Sequence, residues 1–322
     1  MGAPQLAVGV DLGGTNLRAA LVDTSTGTVL AEDKRTHEDR SPAAIADSLL
    51  AAVKTVDPAH RRAGIGVGVA GMLRGWTGTV IVAPNLGWRE VAFRALILAR
   101  SGEPHEPVEL YNDLNAIALG ETRYGGGRGA RDVLCVYMGT GIGAGLVVDG
   151  RLYAGATHLA GEIGHAKVVL EGGRLCGCGA HGCLEAYASG TNIAKRAREE
   201  LVSASSLAVQ LAGSVDAVHA GHLDEAARRG DRYALSLWDE VSRHAGLALG
   251  SAVTLLNPSR LILGGGVLSG APLLAEQLTS RLRLAANAPS LVGFEIVGTT
   301  LGDHAGVLGA AAAILDRIGE AA

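Results

Sequence analysis

Apolar and polar positions alternate along this chain in short blocks, each ended by Gly, Asn or Pro. LAVGV at 6–10 passes through DLGGTN at 11–16 into LRAALVD at 17–23, and after TSTG a further extended run, TVLAEDKRT, occupies 28–36. Runs of this length bounded by turn residues predict a β-meander. A helix is expected over 41–56, where Ser41 can cap, Pro42 takes the tolerated first position and Asp57-Pro58 ends the run. AGIGVGVAG at 63–71 is small and apolar on both faces, the pattern of a strand inside a covered sheet. Beyond the loop APNLGW at 83–88, WREVAFRALILAR (88–100) reads as a helix, VELY (108–111) as a short strand, and NDLNAIALGETRYG as a helix starting near Asn112. Strands alternating with helices predict an α/β architecture.

A second meander starts at 132, where DVLCVYM, the loop GTGIG and AGLVVDG repeat the order strand, Gly-rich loop, strand of the N-terminus. The repeat, with a period of about 125 residues, is too long for a solenoid and points to a duplicated domain. From 187 to 257 the pattern is helical, with its longest candidate at 231–257. A strand RLIL, the loop GGGV, a helix from Pro272, a strand GFEIVGT and a last helix at 304–318 complete the chain. The expected division is an N-terminal domain over 1–114, joined by the C-terminal segment 304–322, and a larger C-terminal domain over 115–303.

With 322 residues, 48% of them apolar, and a net charge of -4, the chain affords two packed domains and little disorder. No Lys/Arg cluster stands out, which argues against nucleic acid as a partner. No apolar stretch approaches a membrane span, and MGAPQLAVGV lacks the charged start of a secretory signal, so a cytoplasmic location is expected. Of the four cysteines, three fall between Cys176 and Cys183, a distribution that suits metal binding rather than disulfides, while Cys135 lies in an apolar strand and is expected in the core.

Three glycine-rich loops each follow an apolar strand: DLGGTN at 11–16, GTGIG at 139–143 and GGG at 264–266. Glycine lets backbone N–H groups approach a phosphate and form an anion-binding nest. Any one of them alone reads equally well as a hairpin turn; three together, with Asp11 and Thr15, favour phosphate. The first two join strands, so neither fits a Walker or dinucleotide fingerprint, which needs a strand leading into a helix. The candidate nucleotide residues are Asp11, Gly13, Gly14, Thr15, Asn16, Gly139, Thr140, Gly141, Gly265 and Gly266. Asp11 can hold a hydrated Mg2+. His165, Cys176, Cys178 and Cys183 have the donor types and number for tetrahedral Zn2+, with His181 as a competing ligand. Asn85, Asn112, Asp113, Glu162 and Glu185 lie outside the apolar helical stripes and suit the hydroxyls of a polyol. Asp113 also opens a helix, where a carboxylate is favourable to the macrodipole without any catalytic role.

DLGGT at 11, APNLGW at 83, NDLNA at 112, GTGIGAG at 139, AGEIGH at 160, CGCGAHGCLE at 176 and LGGGV at 263 resemble the ROK sugar kinases, and within them the bacterial glucokinases. The resemblance covers nearly the whole chain in the family's order. It implies a two-domain, actin-like (ribonuclease H-like) α/β sugar kinase fold with sugar and ATP meeting in the cleft between domains. It further implies Asp113 as general base, Asn85, Asn112, Glu162, His165 and Glu185 around the sugar, and a homo-oligomer, dimer or tetramer, acting in carbohydrate metabolism and glycolysis. Two departures concern how the phosphates are held: Asn16 stands where the family often has Lys, and Ala144 interrupts what is often a longer glycine run.

The expected reaction is transfer of the ATP γ-phosphoryl group to the 6-hydroxyl of glucose, with Asp113 taking the proton, the loops and Mg2+ stabilising charge, and domain closure excluding water. Alternatives are a kinase for mannose, fructose, N-acetylglucosamine or N-acetylmannosamine, a non-catalytic sugar sensor, or a filament-forming ATPase, for which the zinc cluster has no use. Repressors of the same family carry a DNA-binding domain ahead of the first phosphate loop, which here starts at residue 11, so a repressor is not expected.

Overall fold

The computed structural model describes residues 5–201 and 206–321 and divides into two compact units. The first comprises 1–133, 145–161 and 299–322; the second comprises 134–144 and 162–298. The helix expected from Asn112 thus lies in the first unit together with the C-terminal helix, and the chain changes unit within its second meander.

In the first unit, β1 (Leu6–Leu12), β2 (Asn16–Asp23) and β3 (Thr28–Thr36) form the expected antiparallel meander. Helix α1 (Pro42–Val56) begins at Ser41, whose hydroxyl accepts from the Ala44 N–H. β4 (Ile65–Val69) then pairs parallel to β1. β5 (Met72–Leu73), β6 (Val80–Ala83) and β7 (Trp88–Val91) make a small separate sheet, followed by α2 (Phe93–Ser101). The helix expected from residue 88 therefore starts five residues later. Gly87 turns the chain with φ 71°, Trp88 pairs with Ala83, and the Trp88 indole N–H donates to the Arg40 carbonyl at 2.7 Å. Trp88 and Val91, three apart, have a helical spacing, and the hairpin overrides it. β8 (Val108–Asn112) closes the main sheet in the order β3-β2-β1-β4-β8 and runs into α3 (Asp113–Tyr124).

β9 (Val133–Met138), β10 (Ile142–Val148) and β11 (Arg151–Leu152) begin the second sheet. The helical region follows as α4 (Glu185–Ala188), α5 (Gly190–Glu200), α6 (Leu207–Ala212), α7 (Ala220–Arg228) and α8 (Arg232–Leu256). Of the helical run expected at 187–257, residues 202–205 lie outside the described residues. β12 (Arg260–Gly264) leads through the third glycine loop into a short α9 (Gly266–Gly270), then α10 (Pro272–Ala285), β13 (Glu295–Gly298) and α11 (Ala305–Ala321). The sheet order β11-β10-β9-β12-β13 has the same connectivity as the first sheet, third-second-first-fourth-fifth. The duplicated strand-loop-strand pattern thus extends to whole sheets.

The main sheet of the first unit buries Val8, Val10 and Leu21 under α1 and α2 with Ile45, Leu49 and Ile97. Its opposite face, with Ala7, Ala20 and Val22, packs on Val307, Ala311 and Ile314 of α11. Glu121, fully buried, accepts from the N–H groups of Gly126, Thr300 and Leu301, so the entry to α11 is tied to α3. A Cβ at Gly309 would lie 1.7 Å from the Ala116 carbonyl oxygen, so α11 and α3 meet backbone to backbone. Gly309→Ala gains about 1 kcal/mol of helix propensity but is expected to lower stability by about 2 kcal/mol or more, because over-packing forces the helices apart. Urea unfolding measures this; an unchanged midpoint would refute the close packing.

In the second unit α10 packs along α8. Buried Asp224 accepts from the Trp238 indole N–H at 3.0 Å and from the N–H groups of Leu273 and Leu274, so it caps α10 from a neighbouring helix. Among the described residues no helix is long and apolar enough to cross a membrane.

Candidate functional site

The first phosphate-loop candidate is the tight β1–β2 turn, closed by the Gly13 N–H donating to the Asn16 carbonyl at 2.9 Å. Asp11, Gly13, Gly14, Thr15 and Asn16 line a cavity of 270 Å3 with Arg18, Lys34 and Asp303. Asp11 faces Arg18 in the β1–β2 register and Arg18 faces Lys34 in the β2–β3 register. Directly opposed residues share a sheet face, so two cations stand in a row beside the carboxylate. Burial raises the Asp11 carboxyl above its ordinary value, Arg18 lowers it, and Asp303 raises it. A desolvated carboxylate in a pocket with room for water fits a hydrated Mg2+. Arg18 is held by Asp303 at 2.8 Å and Glu32 at 3.2 Å.

Asn85 is exposed on the turn between β6 and β7, and a Cβ at Gly14 would lie 2.8 Å from its Cβ, which places it against the first loop. Asn112 ends β8 and caps α3: its Oδ1 accepts from the N–H groups of Leu114 at 3.0 Å and Asn115 at 3.3 Å, and its Nδ2 donates to the Gly71 carbonyl at 3.1 Å. The cap of α3 is therefore Asn112, which serves the protein's own backbone, while Asp113 keeps the first-turn position favourable to the macrodipole. Asp113 is the first helical residue, half-buried, at the end of a parallel strand where α/β folds place ligands. Gly68 on β4 leaves room there; its Cβ would sit 3.7 Å from the Asp113 Cα.

In the second unit, Gly139, Thr140 and Gly141 form the β9–β10 turn, where the Gly139 N–H donates to the Gly141 carbonyl at 2.9 Å. The start of α5 abuts it, with the Gly190 N–H donating to the Gly139 carbonyl at 2.7 Å. Gly265 has φ 95° and its Cβ would meet the Met138 carbonyl oxygen at 2.4 Å, so the third loop lies against the end of β9, and only glycine fits. Gly266 opens α9. Glu185 is held to the second loop, since its Oε2 accepts from the Ile142 N–H at 2.9 Å, while its Oε1 lies 3.8 Å from the Cys176 Sγ. Glu162 lies beside His165, Oε2 to Nε2 3.7 Å; burial raises its carboxyl, His165 lowers it and Glu185 raises it.

His165, Cys176, Cys178 and Cys183 bring four donor atoms within 4.8 Å of one another. His165 Nδ1 is 3.8 Å from Cys176 Sγ, and Cys178 Sγ is 3.8 Å from Cys183 Sγ. A tetrahedron with Zn–S of about 2.3 Å and Zn–N of about 2.0 Å has S–S and S–N edges of about 3.8 and 3.5 Å, so the donor set fits zinc. Burial pushes the Cys176 thiol up to about 12, whereas the Ala180 N–H, first among several contacts, holds Cys178 low. The Lys167 ammonium lies 3.3 Å from the Cys183 sulfur. His181, the competing ligand, is exposed and outside this group, and Cys135 lies buried in β9.

Arg18, Lys34 and Asp303 were not among the residues expected from sequence. Their signal is cross-strand register and the return of the chain's end to its beginning, which periodicity does not carry.

A family model, described as the ROK family, matches residues 7–317. A glucokinase of Streptomyces coelicolor is 35% identical over 313 residues, 95% of this chain and 96% of that protein. Among solved structures, a ROK family glucokinase from Streptomyces griseus in complex with glucose and AMPPNP is 36% identical with a TM-score of 0.74, covering 95% of this chain and 98% of that one. A ROK hexokinase from Thermus thermophilus is 31% identical with a TM-score of 0.82, covering 98% and 100%. The fold is accordingly the two-domain, actin-like α/β fold of these sugar kinases. Matched along nearly its whole length to proteins of this kind, the chain belongs to the ROK family.

Proposed function

We propose that the protein phosphorylates glucose at its 6-hydroxyl with ATP. The observation that carries this reading is Asp113 at the end of β8, relieved of capping by Asn112, in the same unit as the cavity lined by Asp11 and the first glycine loop. Asp113 would accept the proton of the attacking hydroxyl. Asn85 from the first unit and Glu162, His165 and Glu185 from the second would hold the sugar hydroxyls. The N–H groups of Gly13 and Gly139 close their own turns, so the backbone N–H groups of Gly14, Thr140, Gly141, Gly265 and Gly266 would bind nucleotide phosphates, and Arg18 and Lys34 would supply positive charge where Asn16 replaces the family's frequent Lys.

Asp11 would hold Mg2+ through its waters, an ion that neutralises phosphate charge during transfer. Zinc, with four protein ligands, would have a structural role, fixing the segment 176–185 and the His165 ring. The reaction then rests on alignment and on stabilising charge over the moving phosphoryl group, as phosphoryl transfer requires.

A coupled ADP-release assay over glucose, mannose, fructose, N-acetylglucosamine and N-acetylmannosamine tests the proposal. The expected result is the highest kcat/KM on glucose with Mg-ATP. A higher value on another sugar would reassign the substrate, and sugar binding without ADP release on any of them would replace the kinase by a sensor.

A further inference from the structure

A cavity of 720 Å3 in the first unit is distinct from the one at the phosphate loop and is walled by Trp76, Tyr111 and Leu119 and by the last turns of α11. Its carboxylates are already bonded. Asp316 accepts from Arg123, Glu320 accepts from Arg151 at 3.2 Å, and Asp149 accepts from Arg131. Two donors are short of acceptors. The Tyr111 side chain is 4% exposed, and its buried hydroxyl has no hydrogen-bond partner. The Arg317 guanidinium lies 4.8 Å over the Trp76 ring, and its carboxylate contact, Glu320, is at 3.9 Å.

An unpaired buried donor is costly and calls for an acceptor. Arg317 and Tyr111 both pack on Trp76 and line one cavity, and a guanidinium with a hydroxyl donor at the same cavity suits an oxyanion, preferably a phosphate or carboxylate. Arg123 and Arg151, with their carboxylate partners, add donors and acceptors suited to neighbouring hydroxyls, and the aromatic wall of Trp76 and Tyr111 suits the apolar face of a ring.

The cavity is joined to the proposed catalytic groups by two rigid elements of the same unit. Tyr111 immediately precedes Asn112 and Asp113. Helix α11 ends at the cavity, and its other end meets Asp11, where a Cβ on Gly306 would lie 3.0 Å from the Asp11 carboxyl carbon. We propose that this cavity is a second, regulatory binding site for a small phosphorylated sugar, whose oxyanion is received by Arg317 and Tyr111. The sugar phosphate class rests on the kinase reading above, since it is the class of that reaction's product; the site itself does not.

The test is equilibrium binding of glucose 6-phosphate to the full chain saturated with glucose and a non-hydrolysable ATP analogue, which occupy the catalytic site. One equivalent per chain is expected, weakened about tenfold or more by Tyr111→Phe and by Arg317→Met, as the loss of a hydrogen bond to a charged group implies. Tyr111→Phe removes one unpaired oxygen, so the folded state is kept, and thermal melting verifies it. Binding that both variants leave unchanged, or no binding to folded protein, overturns the proposal. Inorganic phosphate binding as tightly as glucose 6-phosphate overturns the sugar assignment. Because the readout is binding, a protein that phosphorylates no sugar in the panel would fail the kinase reading while leaving this result intact.

Discussion

Asp113→Asn is expected to lower turnover roughly 100-fold to 10,000-fold, the contribution of a positioned general base. The substitution keeps the size of the side chain and removes only its capacity to take a proton. Its structural cost is small: Asn112 caps α3 through its own Oδ1, so the helix start survives. Removing one negative charge from the first helical turn costs about 0.3–1 kcal/mol. Sugar affinity, measured by equilibrium binding on the same variant, should change little, because Asn85, Glu162, His165 and Glu185 are untouched. If Asp113 only favours the helix dipole, turnover stays within about tenfold of the parent, and that result would remove it from the proton transfer.

Removal of zinc is expected to abolish activity through a specific chain of contacts. Cys176 is a donor of the four-residue cluster, its sulfur lies 3.8 Å from Glu185, and Glu185 fixes the Ile142 N–H at the second glycine loop. Loss of the ion leaves the donors to separate, and with them the restraint on Glu185, the phosphate loop and the His165 ring. Metal analysis should find about one zinc per chain, as one set of four donors implies. Cys178→Ser should lose the metal and destabilise the fold by about 3 kcal/mol or more, the range in which metal loss falls. Cys135→Ser, in strand β9, should keep the metal. Chelation followed by added zinc, but not added magnesium, should restore melting temperature and turnover together. Protein purified without chelator that contains no zinc would refute the assignment.

Chemistry carried by residue type was readable in the sequence. The glycines predicted tight turns after apolar strands, and three cysteines within eight positions predicted a cluster of donor atoms; the turns and the cluster are both found. What depends on register was not. Arg18 and Lys34 look like solvent-facing residues of a meander until the strands pair and align them with Asp11. Asn112, expected among the sugar-facing residues, is the cap of α3, which only the geometry of the helix start shows. His181 matches zinc as a residue type as well as His165 does, and the fold of the loop excludes it. The stretch at 88–91 has apolar residues three apart, a helical spacing, and its strand comes from the hairpin with β6 rather than from that spacing.

The place of α11 bears on how the protein is made. Val307, Ala311 and Ile314 complete a core with Ala7, Ala20 and Val22, so the start of the polypeptide waits for residues translated after the whole second unit. During vectorial synthesis the strands β1 and β2 leave the ribosome with one apolar face bare, whereas the segment 162–298 emerges contiguously and has its own partners to hand. Domains generally fold as units in order of emergence, and exposed strand faces invite aggregation. In this chain the order is inverted for the first unit. Stalled or truncated products lacking α11 would present that bare sheet face to chaperones and proteases, so the synthesis of α11 is the step that completes the core of the first unit.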